Sequence, residues 1–361
     1  MPELPEVERA TRLLNETGAG KMIVKVETAE DALVYSGATH TEFAETLTGR
    51  KLIQAHRYGK VFYMVLDGDG KHPVMHFGMT GMLHVRGQLP VHYKEAPSDA
   101  TDPAWPPRWM KFILHFLDSE SGQTAEIAFR DARRLGRIRL CLSPLSEPPI
   151  SELGFDPIHS MPSVTEFSDL VGQRKGAAIK ALLLDQTFSA GIGNWVADEV
   201  LYHARIHPEQ RCNALAKEQI LTLHEKILYV CQTAISVNAD DRKFPDHWLF
   251  KHRWGKGKKS QAGVLALPSG EPATIQFTTV GGRTSAYVTE LQKLSHSSTP
   301  VRGKKRVRNN EEIEAQSPGE LTDHSKNSLK RKRQVLEAVS ARRSSRRSTR
   351  SSNAGAKHQI E

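Results

Sequence analysis

Six runs of β-branched and aromatic residues dominate the first 150 residues, with no helical segment between them. They are KMIVKVETA, KLIQAHRYGKVFYMVLD, HPVMHFGMTGMLHV, KFILHFLDS, TAEIAFRDA and RIRLCLS. Turn signals separate them, including Asp-Gly-Asp-Gly at 67–70, a Pro-rich stretch at 90–107 and Ser-Gly at 121–122. Closely spaced strands without intervening helices predict an antiparallel sandwich or barrel.

A short helix is predicted ahead of these strands, over residues 3–16. Pro5 suits the first turn of a helix, and the acidic residues Glu6 and Glu8 favour its positive end. The apolar residues that follow share one helical face, and Gly18 and Gly20 end the pattern.

The character of the chain changes near residue 150, where SPLSEPPISELGFDPIHSMP is typical of a linker. Three segments with helical spacing follow the linker: KGAAIKALLLDQ, NWVADEVLYHA and AKEQILTLHEKILYVCQTAISV. Short strand-like segments come after them. We therefore predict an α+β protein with five parts. They are an N-terminal helix and sandwich at 1–150, a linker at 151–165, a helical domain at 166–239, a β-hairpin finger at 240–296 and a disordered tail at 297–361.

The net charge of +9 belongs to the tail. The chain has 50 basic and 41 acidic residues, and residues 301–361 contain 16 of the basic and 7 of the acidic ones. The first 300 residues therefore contain 34 basic and 34 acidic residues, which balance. The tail contains the basic blocks GKKRVR, LKRKR and ARRSSRRSTR. These predict nuclear import and loose tethering to DNA, and a merely solvated tail is the alternative.

Several classes of protein are excluded or disfavoured. No apolar run approaches the ~20 residues of a membrane span, and MPELPEVERA lacks the apolar core of a secretory signal. Three widely separated cysteines (Cys141, Cys212 and Cys231) argue against a disulfide framework and for a reducing compartment. We expect a monomer with no membrane association.

The first residues carry candidate chemistry. Removal of Met1 would leave Pro2 as a secondary amine, and a terminal amine with a pKa of about 7.7–8.0 is partly unprotonated at neutral pH. Such an amine can attack an aldehyde-like carbon to form a cationic iminium ion, which acts as an electron sink. Glu3 and Glu6 could then transfer protons. The alternative is an ordinary helix start with acidic first-turn residues.

Six segments in this order resemble the formamidopyrimidine-DNA glycosylase family of base-excision repair enzymes. They are MPELPEVE, RYGK ending at Lys60, HFGMTG at 76–81, DARRLG at 131–136, LLLDQTFSAGIGNWVADEVLYHARIHPEQ at 182–210 and GGRTSAYVTELQKL at 281–294. The resemblance spans residues 1–294 and implies a helix–two-turns–helix element in the second domain.

The resemblance also implies roles for individual residues. Pro2 would be the nucleophile that attacks C1′ of the damaged nucleotide, Glu3 would protonate the sugar ring oxygen, and Glu6 would support them. Lys60 would contact the phosphate beside the lesion. The remaining implied residues all contact DNA. They are Met79, Arg133 and Leu135, which fill the gap left by the everted base; Lys175, Asn194 and Arg283 on the DNA backbone; and Glu199 near the everted nucleotide.

Arg133 would also face the partner base, typically cytosine. The family usually has Phe where this chain has Leu135, and Leu stacks less well between bases.

The chain departs from the bacterial pattern in its finger. Bacterial members usually bind zinc through four cysteines, but this chain has no Cys after Cys231, and His247 and His252 lack partners at ligand spacing. We expect no metal or other cofactor, as in the zincless-finger branch of plants and fungi. Apolar residues are predicted to hold the hairpin together: Trp248, Leu249, Phe250, Val264, Leu265, Ile275, Phe277 and Tyr287.

The predicted function is that of a bifunctional DNA glycosylase and abasic-site lyase acting in the nucleus on double-stranded DNA. The segment between Val237 and Trp248 is short where many members have a loop that closes over 8-oxoguanine. Formamidopyrimidines, further-oxidised guanines and abasic sites are therefore the expected substrates. Two alternatives remain: an endonuclease VIII-like preference for oxidised pyrimidines, and a non-catalytic protein that binds damaged DNA.

Overall fold

The computed structural model describes residues 2–88, 104–254 and 264–295, so the basic tail lies outside the described residues. Eight strands of the first half form two four-stranded sheets in which every described pairing is antiparallel. The strands are β1 (Met22–Thr28), β2 (Leu52–Tyr58), β3 (Val61–Leu66), β4 (His72–His76), β5 (Met82–Val85), β6 (Met110–Leu117), β7 (Thr124–Arg130) and β8 (Arg137–Cys141). Their orders are β1-β6-β7-β5 and β2-β3-β4-β8.

The predicted runs therefore form strands, but two of them each form a pair of strands. KLIQAHRYGKVFYMVLD turns at Gly59 to give β2 and β3, and HPVMHFGMTGMLHV turns at 77–81 to give β4 and β5 in different sheets. Because β4 and β5 lie in different sheets, the HFGMTG segment connects the two layers of the sandwich.

Helix α1 (Leu4–Gly18) contributes to two hydrophobic cores. Val7 and Leu14 pack in the sandwich core with the phenylalanines of the facing sheets. Leu4 is fully buried in the other core, among the helices of the second half. The predicted N-terminal helix therefore joins the halves, and its first turn lies between them.

The second half contains four helices in its described part, with a common apolar core. They are α3 (Val164–Gln173), α4 (Ile179–Leu184), α5 (Asn194–Ala204) and α6 (Lys217–Ser236). Two tight turns at 185–193 separate α4 from α5, as the helix–two-turns–helix prediction requires. None of the described helices is long and apolar enough to cross a membrane.

Two helices were not predicted. One is α2 (His40–Leu47), where the Thr39 hydroxyl accepts a hydrogen bond of 3.0 Å from the Glu42 backbone N–H. The other is α3, which begins inside the predicted linker with a capping box formed by Ser163 and Glu166. Both starts follow the usual rule that a hydroxyl side chain caps the free amides of a first turn.

The finger is a two-stranded hairpin of β9 (Ile275–Val280) and β10 (Arg283–Val288). Of the predicted stabilising residues, Leu249, Leu265, Ile275 and Phe277 pack together beneath it, with Tyr202 of α5.

The other four predicted finger residues do not pack in this group. Trp248 and Phe250 lie in the helical core, because the 3₁₀ turn Leu249–Lys251 directs them inward. Tyr287 packs its ring on His207, with ring centroids 4.5 Å apart. Val264 is 72% exposed, so its predicted place in the hairpin core is wrong.

A buried ion pair fastens the predicted linker to the sandwich. The Arg57 guanidinium at the end of β2 contacts the Asp156 carboxylate, and both side chains are fully buried. Asp156 also accepts a 2.7 Å hydrogen bond from the Gly59 N–H, and Arg57 donates one of 2.9 Å to Glu8 on α1. Burial alone would raise the pKa of Asp156, but the charge of Arg57 and these hydrogen bonds hold it below its ordinary value.

Replacing Arg57 with alanine should lower the free energy of unfolding by about 3–5 kcal/mol, because it leaves the Asp156 charge buried without its partner. Denaturant unfolding measures this. Lys71→Ala is the matched control, since it breaks a pair with Glu42 in which the side chains are 44% and 43% exposed. Pairs of that kind contribute about 0.2–1 kcal/mol. Equal losses in the two variants would contradict the fastening role of Arg57.

Candidate active site

The first residues of the chain are enclosed where the sandwich meets the helices. Pro2 is buried and lines a small cavity with Glu6, Arg9, Phe77 just after β4 and Met82 of β5. The Leu4 backbone N–H donates a 3.1 Å hydrogen bond to the carbonyl of Gly191, which lies just before α5. The sequence start is therefore fixed against the second half of the protein.

The Glu3 carboxylate lies at the N-terminus of α5. Its two oxygens accept hydrogen bonds from the backbone N–H groups of Trp195 and Val196, at 2.9 and 3.1 Å. Free amides and the positive end of the helix dipole make this position favourable for a negative charge. Gly193 makes the approach possible, since a Cβ on that residue would lie 2.2 Å from the Glu3 carboxyl carbon.

Glu6 lies one helical turn later and is also buried. One carboxyl oxygen accepts the Glu3 backbone N–H at 2.9 Å, and the other accepts the indole N–H of Trp195 at 3.1 Å. Burial, assisted by the negative charge of Glu3, raises the pKa of Glu6 to about 7. A carboxyl group with this pKa can both donate and accept a proton at neutral pH.

Lys60, at the start of β3, reaches the same place. Its ammonium donates a 2.9 Å hydrogen bond to the carbonyl of Ile192, immediately before Gly193. Burial lowers the pKa of Lys60; the charges of Glu3 and Glu6 oppose this, and the charge of Arg283 adds to it. The structure thus brings together the four residues predicted to be catalytic, from α1 and β3, around the loop before α5.

A second group of predicted residues lies on two adjoining loops of the sandwich. Asp131 ties the loops together: one carboxylate oxygen accepts the Thr80 hydroxyl at 2.8 Å, and the other accepts the Gly136 N–H at 2.6 Å. Gly78 approaches so closely that a Cβ there would lie 2.3 Å from the Leu135 carbonyl carbon. The loop bearing Met79 and the loop bearing Arg133 and Leu135 therefore form one rim.

The two arginines of this rim differ in their surroundings. Arg134 has a left-handed backbone (φ 56°) and forms two hydrogen bonds of 2.9 and 3.0 Å to Asp31. Arg133 is exposed, and Leu135 is 41% exposed although apolar. Met79 is half-buried. Exposed apolar and basic side chains on one rigid rim suit insertion into a duplex.

Asn194 and Arg283 lie at the junction of α5 with the finger. The Asn194 side-chain amide donates a 3.0 Å hydrogen bond to the carbonyl of Thr284, next to the exposed Arg283. A buried network that the sequence analysis missed fixes this junction. The Asp198 carboxylate binds the ammonium of Lys180 and, at 2.6 Å, the guanidinium of Arg253, and the Lys180 ammonium also reaches the Asn194 carbonyl.

The structure corrects the prediction for Glu199. This side chain is fully buried, and its carboxylate accepts hydrogen bonds from the backbone N–H groups of Leu249 and Phe250 at 3.0 and 2.7 Å. His203 lies 3.0 Å from the same carboxylate. Because the inward face of α5 carries Glu199, it anchors the segment before the finger and does not face the DNA side.

Lys175 lies apart from the groups described above. It is exposed in the turn after α3, and its carbonyl accepts a 3.3 Å hydrogen bond from the Asn213 N–H. Within residues 2–88, 104–254 and 264–295, no group of three or more His, Cys, Asp or Glu side chains could hold a metal ion.

Comparison with known proteins identifies both halves. The model of the formamidopyrimidine-DNA glycosylase N-terminal domain matches residues 1–138, and that of the H2TH domain matches residues 153–246. A formamidopyrimidine-DNA glycosylase of Arabidopsis thaliana is 42% identical over 295 residues, which cover 81% of this chain and 71% of the relative. One from Heliobacterium modesticaldum is 34% identical over 250 residues, covering 68% and 82%.

Solved structures agree. The Lactococcus lactis enzyme bound non-covalently to DNA containing an abasic site matches with a TM-score of 0.62 and 25% identity, covering 81% of this chain and 99% of that one. A mutant of it with DNA containing Fapy-dG matches with a TM-score of 0.63 and 25% identity, covering 81% and 100%.

The sandwich, the helix–two-turns–helix element and the acids at the chain start together define a DNA glycosylase. Within that class, the chain belongs to the formamidopyrimidine-DNA glycosylase family.

Proposed function

We propose that this glycosylase removes oxidised purines from double-stranded DNA and then cleaves the strand, with Pro2 as the nucleophile. The observation that carries the proposal is the placement of the Glu3 carboxylate. It follows Pro2 directly in the chain and is held by two amides of α5 that belong to the other half of the protein. A nucleophile and a proton carrier are thereby fixed in one enclosed place.

The chemistry follows from the two groups. The Pro2 nitrogen attacks C1′ of the nucleotide, the bond to the damaged base breaks, and the nitrogen loses its proton to Glu3. Glu3 returns that proton to the ring oxygen as the C1′–O4′ bond opens, which leaves a cationic iminium ion. Loss of a C2′ proton to a base gives an enamine, which expels the 3′ phosphate and leaves a conjugated iminium. Loss of a C4′ proton from that iminium then expels the 5′ phosphate, and water releases Pro2 from the sugar remnant.

Base extrusion requires that the gap in the duplex be filled. We assign this role to Met79, Arg133 and Leu135, which lie on the rim fixed by Asp131. Lys60, Asn194 and Arg283 are assigned to the phosphates, because they surround the α5 N-terminus with positive charge and amide donors. Arg134 is not assigned to DNA, since Asp31 holds its guanidinium.

Formamidopyrimidines and further-oxidised guanines are the proposed substrates, in preference to 8-oxoguanine. The segment after α6 is short and fixed in place: Asp240 caps the turn Asp241–Lys243, and Phe244 is buried against Trp195 with ring centroids 5.5 Å apart. A segment anchored in this way is poorly suited to close over an 8-oxoguanine base.

Borohydride trapping tests the mechanism. Protein whose N-terminus is shown by mass spectrometry to be Pro2 should form a covalent adduct with abasic-site DNA, because borohydride reduces the iminium to a stable amine. Protein that retains Met1 should form none, since its Pro2 nitrogen is an amide. Absence of an adduct with verified Pro2 would rule out the mechanism.

A panel of lesions tests the substrate. Formamidopyrimidine-guanine should be excised faster than both thymine glycol and 8-oxoguanine. Faster excision of thymine glycol would instead favour the alternative preference for oxidised pyrimidines.

Nuclear localisation, a zincless finger and a monomeric state are further parts of the proposal. The basic blocks within 301–361 are the support for nuclear import. A fluorescent fusion should lose nuclear accumulation when those residues are deleted, and retained accumulation would contradict it. Metal analysis of the purified protein should find no zinc, as a zincless finger requires. Light scattering should give the mass of a single chain.

A further inference from the structure

We propose that Trp195 is a positioning residue. Its indole N–H, acting through Glu6, orients the peptide that carries Pro2 and stabilises the ionised form of Glu6. The inference rests on the proposed function, since it concerns the same reaction. Its basis is that one residue contacts both acids of the site. The Trp195 backbone N–H binds Glu3, and its side-chain N–H binds Glu6.

The route from Trp195 to Pro2 is short. Glu6 uses one carboxyl oxygen for the indole at 3.1 Å and the other for the Glu3 backbone N–H at 2.9 Å. That N–H belongs to the peptide bond formed by the Pro2 carbonyl, so fixing it leaves one backbone torsion, about the Cα–C bond of Pro2, between this peptide and the Pro2 ring. Fixing the Glu6 carboxyl group therefore fixes the peptide that carries the nucleophile.

The indole is itself held in one orientation. Trp195 is 4% exposed, and its ring packs on Phe250 edge to face at 5.0 Å and on Phe244 at 5.5 Å. Phe250 is anchored by its backbone N–H, which donates to the buried Glu199 carboxylate at 2.7 Å. An aromatic donor locked by packing loses little conformational freedom when it forms its hydrogen bond.

Both donors to Glu6 favour its ionised form, because a carboxylate accepts hydrogen bonds more strongly than a neutral acid. The other charged or titratable groups near Glu6 come from four places. They are the Pro2 amine and Glu3 just before α1, Arg9 on α1, Lys60 in the turn before β3 and the Cys231 thiol on α6. Burial raises the pKa of Cys231 far above neutrality, so it stays uncharged. With the pKa of Glu6 at about 7, a lost donor raises this pKa further.

Loss of the indole donor should move the pH dependence of adduct formation to higher pH. If adduct formation requires ionised Glu6, the rate rises with pH through the pKa of Glu6, in addition to the rise that follows deprotonation of the Pro2 amine. Trp195→Phe keeps the ring but removes the donor, so the rising limb should move upward by about one pH unit. The rate should fall by about tenfold near pH 6 and return to within about twofold of the original at pH 9.

The experiment measures single-turnover adduct formation on abasic-site DNA from pH 5.5 to 9 for the full chain. Trp248→Phe is the matched control: Trp248 is buried in the same core, but its indole lies 3.3 Å from the Tyr229 hydroxyl instead of Glu6. We expect adduct formation by the Trp248→Phe control to have the same pH dependence as that of the unmodified protein. Glu6→Gln should remove the part of the rise that belongs to Glu6 and leave the part that belongs to the Pro2 amine, and Trp195→Phe should cause no further shift in that background.

Three outcomes would overturn the inference. They are a uniform loss with Trp195→Phe at every pH, an equal shift with Trp248→Phe, and an unchanged pH dependence in Glu6→Gln. The last is decisive even if Trp195→Phe does not fold. If the unmodified protein forms no adduct at any pH, the proposed function itself fails, which is a separate result.

Discussion

Replacing Glu3 with glutamine should abolish base excision while DNA binding is nearly unchanged. Both oxygens of the Glu3 carboxylate accept backbone N–H groups at the start of α5, at 2.9 and 3.1 Å. A glutamine would place an NH₂ group against one of those donors and could not carry the proton from Pro2 to the ring oxygen. General acid–base groups typically contribute 10²–10⁴-fold. We therefore expect a loss of about 10³-fold or more in single-turnover excision of formamidopyrimidine-guanine.

The binding measurement separates chemistry from recognition. The dissociation constant for lesion DNA should change little, because the residues assigned to phosphate and to the gap are untouched. Glu8→Gln is a suitable control on the same helix, since Glu8 pairs with Arg57 and does not contact α5 in the described structure. Excision by Glu3→Gln at a rate close to that of the unmodified protein would remove Glu3 from the mechanism.

Adding one methyl group at Gly193 should reduce excision by about 100-fold. An alanine Cβ there would lie 2.2 Å from the Glu3 carboxyl carbon and about as close to both oxygens. The Gly193 backbone is extended (φ −119°), so the obstacle is steric and not conformational. The carboxylate must therefore move away from the α5 amides, and misplacement of a catalytic group by about 1 Å costs on the order of 10²-fold.

The matched control is Gly172→Ala in α3. A Cβ at Gly172 would have no neighbour within 4 Å, so this helix should gain about 0.5–1 kcal/mol of stability with no change in rate. Excision rates and unfolding free energies of both variants are measured together. If Gly193→Ala retained its full rate, close contact between Gly193 and Glu3 would not matter for catalysis.

The sequence predicted the architecture well where residue type or periodicity gave a strong signal. Runs of β-branched and aromatic residues bounded by turns indicated the sandwich strands, and the apolar face of 3–16 indicated α1. The helices α2 and α3 were missed because they are short, at 8 and 10 residues, although Thr39 and Ser163 with Glu166 are recognisable caps. Attention to capping residues could have found them.

The finger shows why burial is harder to predict than strand position. Trp248 and Phe250 are apolar and adjacent to the hairpin in the chain, yet a single 3₁₀ turn sends them into the helical core. Which core receives a large side chain depends on the direction of one turn. Composition does not determine that direction. Val264 was also misplaced, because an apolar residue type does not by itself show that a side chain is buried.

The candidate catalytic residues were predicted from residue type and from the resemblance. The residues that hold them in position could not be predicted in the same way. Glu3 and Trp195 are separated by 192 positions, and only the folded chain brings them within 2.9 Å. Glu199 was assigned to the everted nucleotide from the resemblance alone, whereas its side chain is fully buried on the inward face of α5. The pairing of Arg134 with Asp31 could likewise not be predicted, since the two residues are 103 positions apart in the chain.

The separation between Glu3 and α5 has a consequence for biosynthesis. A ribosome produces the first residues of the chain long before it reaches the amides that orient Glu3. The emerging polypeptide therefore carries the proposed nucleophile in an unassembled state until α5 has been translated and has docked. A truncated translation product that stops at the end of the sandwich contains the proposed catalytic residues Pro2, Glu3, Glu6 and Lys60, yet it lacks the start of α5 that orients them.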